Sequence, residues 1–183
     1  MGHATTTSEP LASAKPAICR ALDGIVSFVG EKTAWLANLL ILLIIVNVIL
    51  RYAFDNGAVI LEELQWHAYG IMLILAIPFA VVTDDHIRMD VLSSRFGART
   101  KLWIEVLGIA FLLIPMIAVV WYFLIDYVGA SWRVNEASDA PMGLCCRWAF
   151  KAFLFIGFTL FGLAAISRLI AKCAELFGGR RAA

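Results

Sequence analysis

The sequence predicts an all-α integral membrane protein with four transmembrane helices, both termini in the cytoplasm, and short amphipathic helices at the membrane surface. Three observations predict it. Of 183 residues, 62% are hydrophobic and only 16% charged, with mean hydropathy +0.85; an ordinary soluble domain is about 45–50% apolar and about 25% charged. A globule this small cannot hide such an excess, because much of its surface must face water. Four stretches reach the roughly 20 apolar residues needed to cross about 30 Å of hydrocarbon, and the cations gather on one side of them.

The spans are expected at about residues 34–51, 64–83, 102–125 and 148–170. They are continuously apolar rather than alternating, which excludes the strands of a membrane barrel and leaves helices. Lys15, Arg20 and Lys32 precede the first span, Arg88, Arg95, Arg99 and Lys101 follow the second, and Arg168, Lys172, Arg180 and Arg181 close the chain. These are 11 of the 15 Lys and Arg residues; the other side holds only Arg51, Arg133, Arg147 and Lys151. The excess of cations on the inner side puts both termini in the cytoplasm. All six tryptophans fall near the expected span ends, where an interfacial aromatic belt lies.

The chain thus divides into a cytoplasmic tail with an amphipathic segment (1–33), a four-helix membrane domain (34–171) and a second tail (172–183). Ile18, Leu22, Ile25, Val26 and Val29 recur at helical spacing opposite Arg20, Asp23 and Ser27. That pattern suits a surface helix or a cytoplasmic extension of the first span. Ile87, Val91, Leu92 and Phe96 with Arg88, Asp90 and Arg95 suit a second surface helix. No apolar run precedes a cleavage site, so no removable signal peptide is expected.

Several function classes drop out. A net charge of +1 gives no electrostatic recruitment of nucleic acid. Four cysteines without a C-x-x-C make neither a disulfide framework nor a zinc motif, and no metal or cofactor is expected. No internal inverted repeat of the kind a self-sufficient carrier shows is present.

Ionisable groups are costly in hydrocarbon, so each marks a candidate role. Glu62, Glu63 and His67 open the second span; Glu63 and His67, four apart, share a helix face and could pair. The acids also suit a helix N-terminus. Glu105 is expected to pair with Lys101, while Lys151 and Arg168 are expected to snorkel. Asn38 and Asn47 are expected to face other helices, and Pro78 and Pro115 to kink theirs. No span carries a charge at its middle. A carrier must replace its solute's lost water there, so the chain is not expected to transport anything alone, nor to be an enzyme.

A four-helix redox protein is the alternative, either a haem subunit or a quinone-linked disulfide oxidoreductase. A bis-histidine haem needs two facing histidines, and only His67 lies in a span. The oxidoreductase needs two thiol pairs, and only Cys145-Cys146 is vicinal.

Four motifs in order point elsewhere: Arg51-Tyr52 closing the first span, Glu62-Glu63-Leu64 opening the second, Asp85-His86-Ile87-Arg88-Met89-Asp90-Val91-Leu92 after it, and Ser131 … Glu136-Ala137-Ser138 … Pro141-Met142-Gly143-Leu144 … Arg147-Trp148 in the second outer loop. Over roughly 36–169 the chain resembles the small membrane subunit (DctQ type) of tripartite ATP-independent periplasmic (TRAP) transporters. In that family an acid opens the second helix and a His-(Ile/Val)-x-(Val/Met)-Asp-x-(Leu/Phe) segment follows it; Glu63 and His86 to Leu92 match. Asp84-Asp85 stands where basic residues are frequent, and Cys145-Cys146 has no counterpart role.

The resemblance implies a multi-pass protein of the bacterial inner membrane, in contact with lipid. It would be a non-catalytic scaffold beside a large membrane subunit that holds the sodium and substrate sites, served by a periplasmic substrate-binding protein that captures an organic acid or similar solute. Candidate partner contacts are then Glu62, Glu63, His67, Arg133 and Glu136 on the outer side and His86, Arg88 and Asp90 on the cytoplasmic side.

Overall fold

The computed structural model describes residues 16–83 and 97–178. The expected second surface helix, with His86, Arg88 and Asp90, lies outside the described residues. Four helices long and apolar enough to cross a membrane run through the chain, and no strand occurs among the described residues.

Helix α1 (Ala17–Ala53) starts behind Pro16, whose extended backbone presents its carbonyl to the Arg20 amide at 3.2 Å. At about 1.5 Å per residue its 37 residues reach about 55 Å, well beyond the hydrocarbon alone. The amphipathic stretch 18–29 is therefore an extension of the first span. The helix ends where Asp55 turns left-handed (φ 51°) and the Asn56 amide reaches back to the Leu50 carbonyl at 3.1 Å.

Helix α2 (Val59–Thr83) continues through Pro78, which is fully buried. Proline lacks an amide, which frees the Ile74 carbonyl. Gly157 of the last helix lies against that carbonyl and the Ile74 side chain, where an added Cβ would collide. The third span (Arg99–Arg133) is made of α3 (Ala98–Gly108), a π turn (Ile109–Leu113) and α4 (Ile114–Arg133). Within the π turn the Ile114 amide bonds to the Ile109 carbonyl, five residues back. Pro115 follows at once. Just before the proline the backbone opens into one wider turn. Helix α5 (Arg147–Gly178) closes the bundle.

Helix α5 packs against α1, α2, α3 and α4, and α2 packs on α1. Small residues allow this. Ala164 and Ala165 are almost wholly buried, and a Cβ on Gly30 of α1 would collide with the Phe79 ring of α2. Without a hydrophobic driving force between helices in lipid, such close approach is what holds them. Large apolar side chains instead point outward, among them Ile41, Leu42, Ile45 and Ile49 along α1.

Two asparagines divide differently from the expectation. Asn47 is buried and Asn38 exposed. Nine residues at about 100° each is half a turn beyond two full turns, so the two lie on opposite faces. Only Asn47 can face the bundle, while the Gln65 side-chain amide of α2 donates to the Leu43 carbonyl of α1 at 3.2 Å.

The end of the bundle that carries residues 16, 83, 97 and 178, the tail end, is cross-braced. The Arg168 guanidinium donates to Glu105 at 2.8 and 2.6 Å and to the Val81 carbonyl at 3.0 Å. Lys172 adds a contact to Glu105 at 3.7 Å. Glu105 thus pairs across the bundle, and Arg168 ties α5 to α3 and to the last turn of α2, where helix carbonyls lack partners of their own. The Cys19 thiol donates to the Ser167 carbonyl (3.4 Å), and the Ser167 hydroxyl to Asp23 (2.6 Å), pinning the extension of α1 on α5.

Glu105→Ala should leave the Arg168 guanidinium without the carboxylate oxygen that takes two of its donors. A thermal-unfolding double-mutant cycle with Arg168→Ala in detergent is expected to return a coupling on the order of 1–3 kcal/mol. A coupling near zero would remove the brace.

Candidate functional site

At the opposite, loop end of the bundle, residues 54–58 join α1 to α2 and residues 134–146 join α4 to α5. The carboxylates opening α2 are set by one residue of helical rotation. Glu62 is exposed and forms a loose surface pair with Arg51 at 3.6 Å, an arrangement worth little by itself. Glu63 is turned inward and buried. Its carboxylate accepts a hydrogen bond from the Ser138 hydroxyl and another from the Leu144 amide at 2.7 Å. The 134–146 loop is therefore seated on the first turn of α2.

The loop's own bonds shape it for that seat. The Ser138 amide donates to the Leu144 carbonyl (2.9 Å) and the Gly143 amide to the Ala140 carbonyl (3.0 Å), closing a tight turn over Pro141 and Met142. Met142 sits in the left-handed region (φ 62°), as do Asn135 (46°) and Cys146 (61°). Gly143 must be small: a Cβ there would collide with Ser138 and press to within 3.0 Å of the Glu63 carboxylate.

Glu136 makes the second anchor. Its amide donates to the Ser131 carbonyl (3.1 Å), its carbonyl accepts from the Arg147 amide (2.9 Å), and its carboxylate takes a hydrogen bond from the Lys151 ammonium. Lys151 also lies over the Tyr127 ring, 4.2 Å from its centroid, a favourable place for a cation. This ammonium is held by a carboxylate and a ring. Lys151, with Arg147 nearby, holds the Glu136 carboxyl below its ordinary range.

His67 does not pair with the Glu63 carboxylate. Its Nδ1 lies 2.6 Å from the Glu63 backbone carbonyl. A carbonyl can only accept, so Nδ1 carries the proton. The ring rests against Trp66 and Phe150, with centroids 5.0 and 4.4 Å away. The four-residue spacing brought the two residues to one face, but the loop claims the acid and the helix backbone claims the imidazole.

Arg133 ends α4, exposed, where a cation suits the helix dipole; among the described residues it has no ion pair. The eight sequence candidates therefore separate. Glu63, Glu136 and His67 are engaged within the chain, Glu62 and Arg133 face outward, and His86, Arg88 and Asp90 lie outside the described residues. Sequence reasoning missed Ser138, the Leu144 amide and the Glu136–Lys151 pair. Pro141, Met142 and Gly143 make the loop's turn, but nothing local says which carboxylate a turn will cover. Among the described residues no three His, Cys, Asp or Glu side chains converge to hold a metal ion.

Two expectations follow from the anchors. Glu63→Ala strands the Leu144 amide, so hydrogen exchange over 138–146 should quicken by about tenfold; unchanged exchange would dissolve the seat. For Glu136 the unfolded loop binds a proton at higher pH than the folded one. Its contribution is therefore complete above the ordinary carboxylate range and is lost as pH falls through the lowered value. Trp132 and Trp148 flank the loop with ring centroids 4.1 Å apart, so their emission should report that acid transition. Glu136→Gln should abolish it.

No curated protein and no solved structure matches the chain. The family model described as "Tripartite ATP-independent periplasmic transporters, DctQ component" matches residues 40–174, from within α1 to within α5. The chain belongs to the DctQ family: it is a multi-pass, non-catalytic small membrane subunit of a TRAP transporter, a protein of the inner membrane.

Proposed function

We propose that this subunit is a static scaffold, bound to a large membrane subunit that carries out sodium-driven import of an organic acid or similar small solute. A periplasmic binding protein delivers the solute. Both termini are cytoplasmic and the loop end faces the periplasm, in line with the cation asymmetry.

The observation that carries the reading is how the polar side chains within the bundle are used. Arg168, Glu105, Ser167 and Asp23 brace the tail end, and Glu63, Ser138, Glu136 and Lys151 brace the loop end. Groups engaged with one another are not available to coordinate an ion or strip water from a solute. A bundle braced at both ends also resists the rearrangement that a moving transport domain requires. The family supplies the division of labour: DctQ subunits work with a large membrane subunit and a binding protein.

The partner surface is what the braces leave free. Glu62 and Arg133 face the periplasm for the binding protein or the large subunit. The apolar outer face of α1, with Asn38, faces the large subunit or lipid. Glu63 and Glu136 act on partners through the loop they fix, and His67 through the surface it shares with Trp66 and Phe150. His86, Arg88 and Asp90 secure the cytoplasmic turn against the large subunit.

Affinity purification in mild detergent should bring down a many-helix membrane partner. Arg133→Glu should lower uptake several-fold at limiting binding protein while leaving insertion and that partner in place, whereas His86→Ala should reduce recovery of the partner. The purified subunit moving a solute in liposomes by itself would overturn the scaffold role.

A further inference from the structure

Cys145 and Cys146 stand where the seated loop enters α5. Cys145 is exposed and Cys146 half-buried. Leu144, just before them, donates its amide to Glu63 (2.7 Å), and Arg147, just after, donates its amide to the Glu136 carbonyl (2.9 Å). The pair therefore lies between the two bonds that fasten the end of the loop.

Its backbone is unusual as well. Cys146 is left-handed at φ 61°, a region costly for a residue with a Cβ and found where other contacts enforce it. In extended chain neighbouring side chains point to opposite faces; the left-handed backbone at Cys146 breaks that alternation. The neighbouring Cys145 thiol, with partial burial, raises the Cys146 thiol above its ordinary value. The exposed Cys145 is thus the thiol that meets an oxidant first.

We propose that Cys145 and Cys146 form a reversible dithiol and vicinal-disulfide pair whose closure loosens the 134–146 loop from Glu63. The reaction rests on the periplasmic placement given above for its oxidising surroundings, and its oxidant is a disulfide, carried by a protein oxidase or a small molecule. The Cys145 thiolate attacks one sulfur of that disulfide and releases the first thiol. The Cys146 thiolate then attacks the Cys145 sulfur, forming the Cys145–Cys146 bond and releasing the second. Two electrons pass to the incoming disulfide, and the two cysteine protons end on the two thiols released.

Closure must move the backbone. Adjacent Cα atoms are about 3.8 Å apart across a trans peptide, whereas unstrained disulfides span about 4.4–6.8 Å. A bridge between neighbours is therefore strained and readily reduced. The adjustment falls between the Leu144 and Arg147 amides, so their bonds to Glu63 and Glu136 bear it.

Trypsin should release Val134–Arg147 as one peptide holding both cysteines and no internal Lys or Arg. The full chain, purified in detergent and treated with excess oxidised glutathione, should give this peptide lighter by two hydrogens and resistant to iodoacetamide. A glutathione buffer that spares structural disulfides should restore both thiols. Hydrogen exchange at the Leu144 amide should run about tenfold faster in the oxidised form, and the Cys145→Ser/Cys146→Ser double variant should show no redox response. Full alkylation after oxidation, a linkage between two chains, or unchanged Leu144 exchange would each overturn the proposal. A membrane-impermeant maleimide applied to cells with a permeabilised outer membrane checks the placement separately. Labelling of Cys145 only once the inner membrane is opened would overturn the orientation, while the detergent experiment still decides the pair.

Discussion

A carboxylate at the lip of a bilayer stays ionised only if water or fixed donors reach it, and Glu63 is met by donors from its own chain. Ser138 and the Leu144 amide come to it from a loop that is 75 residues and more away in sequence. That convergence decides the rest of the loop end. It sets the turn at Gly143, brings Glu136 to Lys151 at the mouth of α5, and leaves Glu62 and Arg133, with Arg51, Asp55 and Asp139, facing outward. An acid at this position in a soluble protein could turn to solvent at little cost. Here the helix that carries it runs straight into hydrocarbon, so satisfying it inside the structure is cheaper than leaving it bare.

The tail end meets the same constraint with a cation. Arg168 sits near the tail end of the last span, and three of its donors go to Glu105 and to the Val81 carbonyl at the end of α2. One side chain thereby satisfies a helix terminus, an acid and itself. Its position on α5 matters, because α5 is the helix that packs against α1, α2, α3 and α4. A brace on a peripheral helix would fix one neighbour; on α5 it fixes two, and the Ser167 contacts beside it fix a third.

What was legible in the sequence follows from the range of the physics. Span number and placement depend on stretches of about 20 residues facing oil, a local property, and the four helices cover the expected runs. The extension of α1 was half legible: its apolar stripe showed a helix, but continuity with the span depends on Cys19 and Val26 finding α5 and the core. Partner choice was not legible. Glu105 has a cation four residues before it and reaches across the bundle to Arg168 and Lys172. His67 has an acid four residues before it and bonds to a backbone carbonyl. In both cases spacing along one helix said which groups could meet, and packing between elements chose among them. Pro115 adds a third case: the missing amide is legible, but the wider turn before it is not, since that turn rests on neighbours.

Bracing at both ends has a further consequence for how such a subunit can serve a moving partner. A transport domain slides or rocks against something, and that surface must not yield. Interior polar contacts stiffen the bundle without adding polar groups to its membrane-facing sides, so those sides can remain apolar and be covered by lipid or by another helix bundle alike. Stiffness and a plain outer face therefore come from the same choice, which is to turn charge inward. The exposed charges at the loop end are then the few that can distinguish one partner from another. The 134–146 loop beside them is fastened by hydrogen bonds rather than by a packed core, so of the described segments it is the one where a small chemical change can alter a contact while the helices beneath it stay fixed.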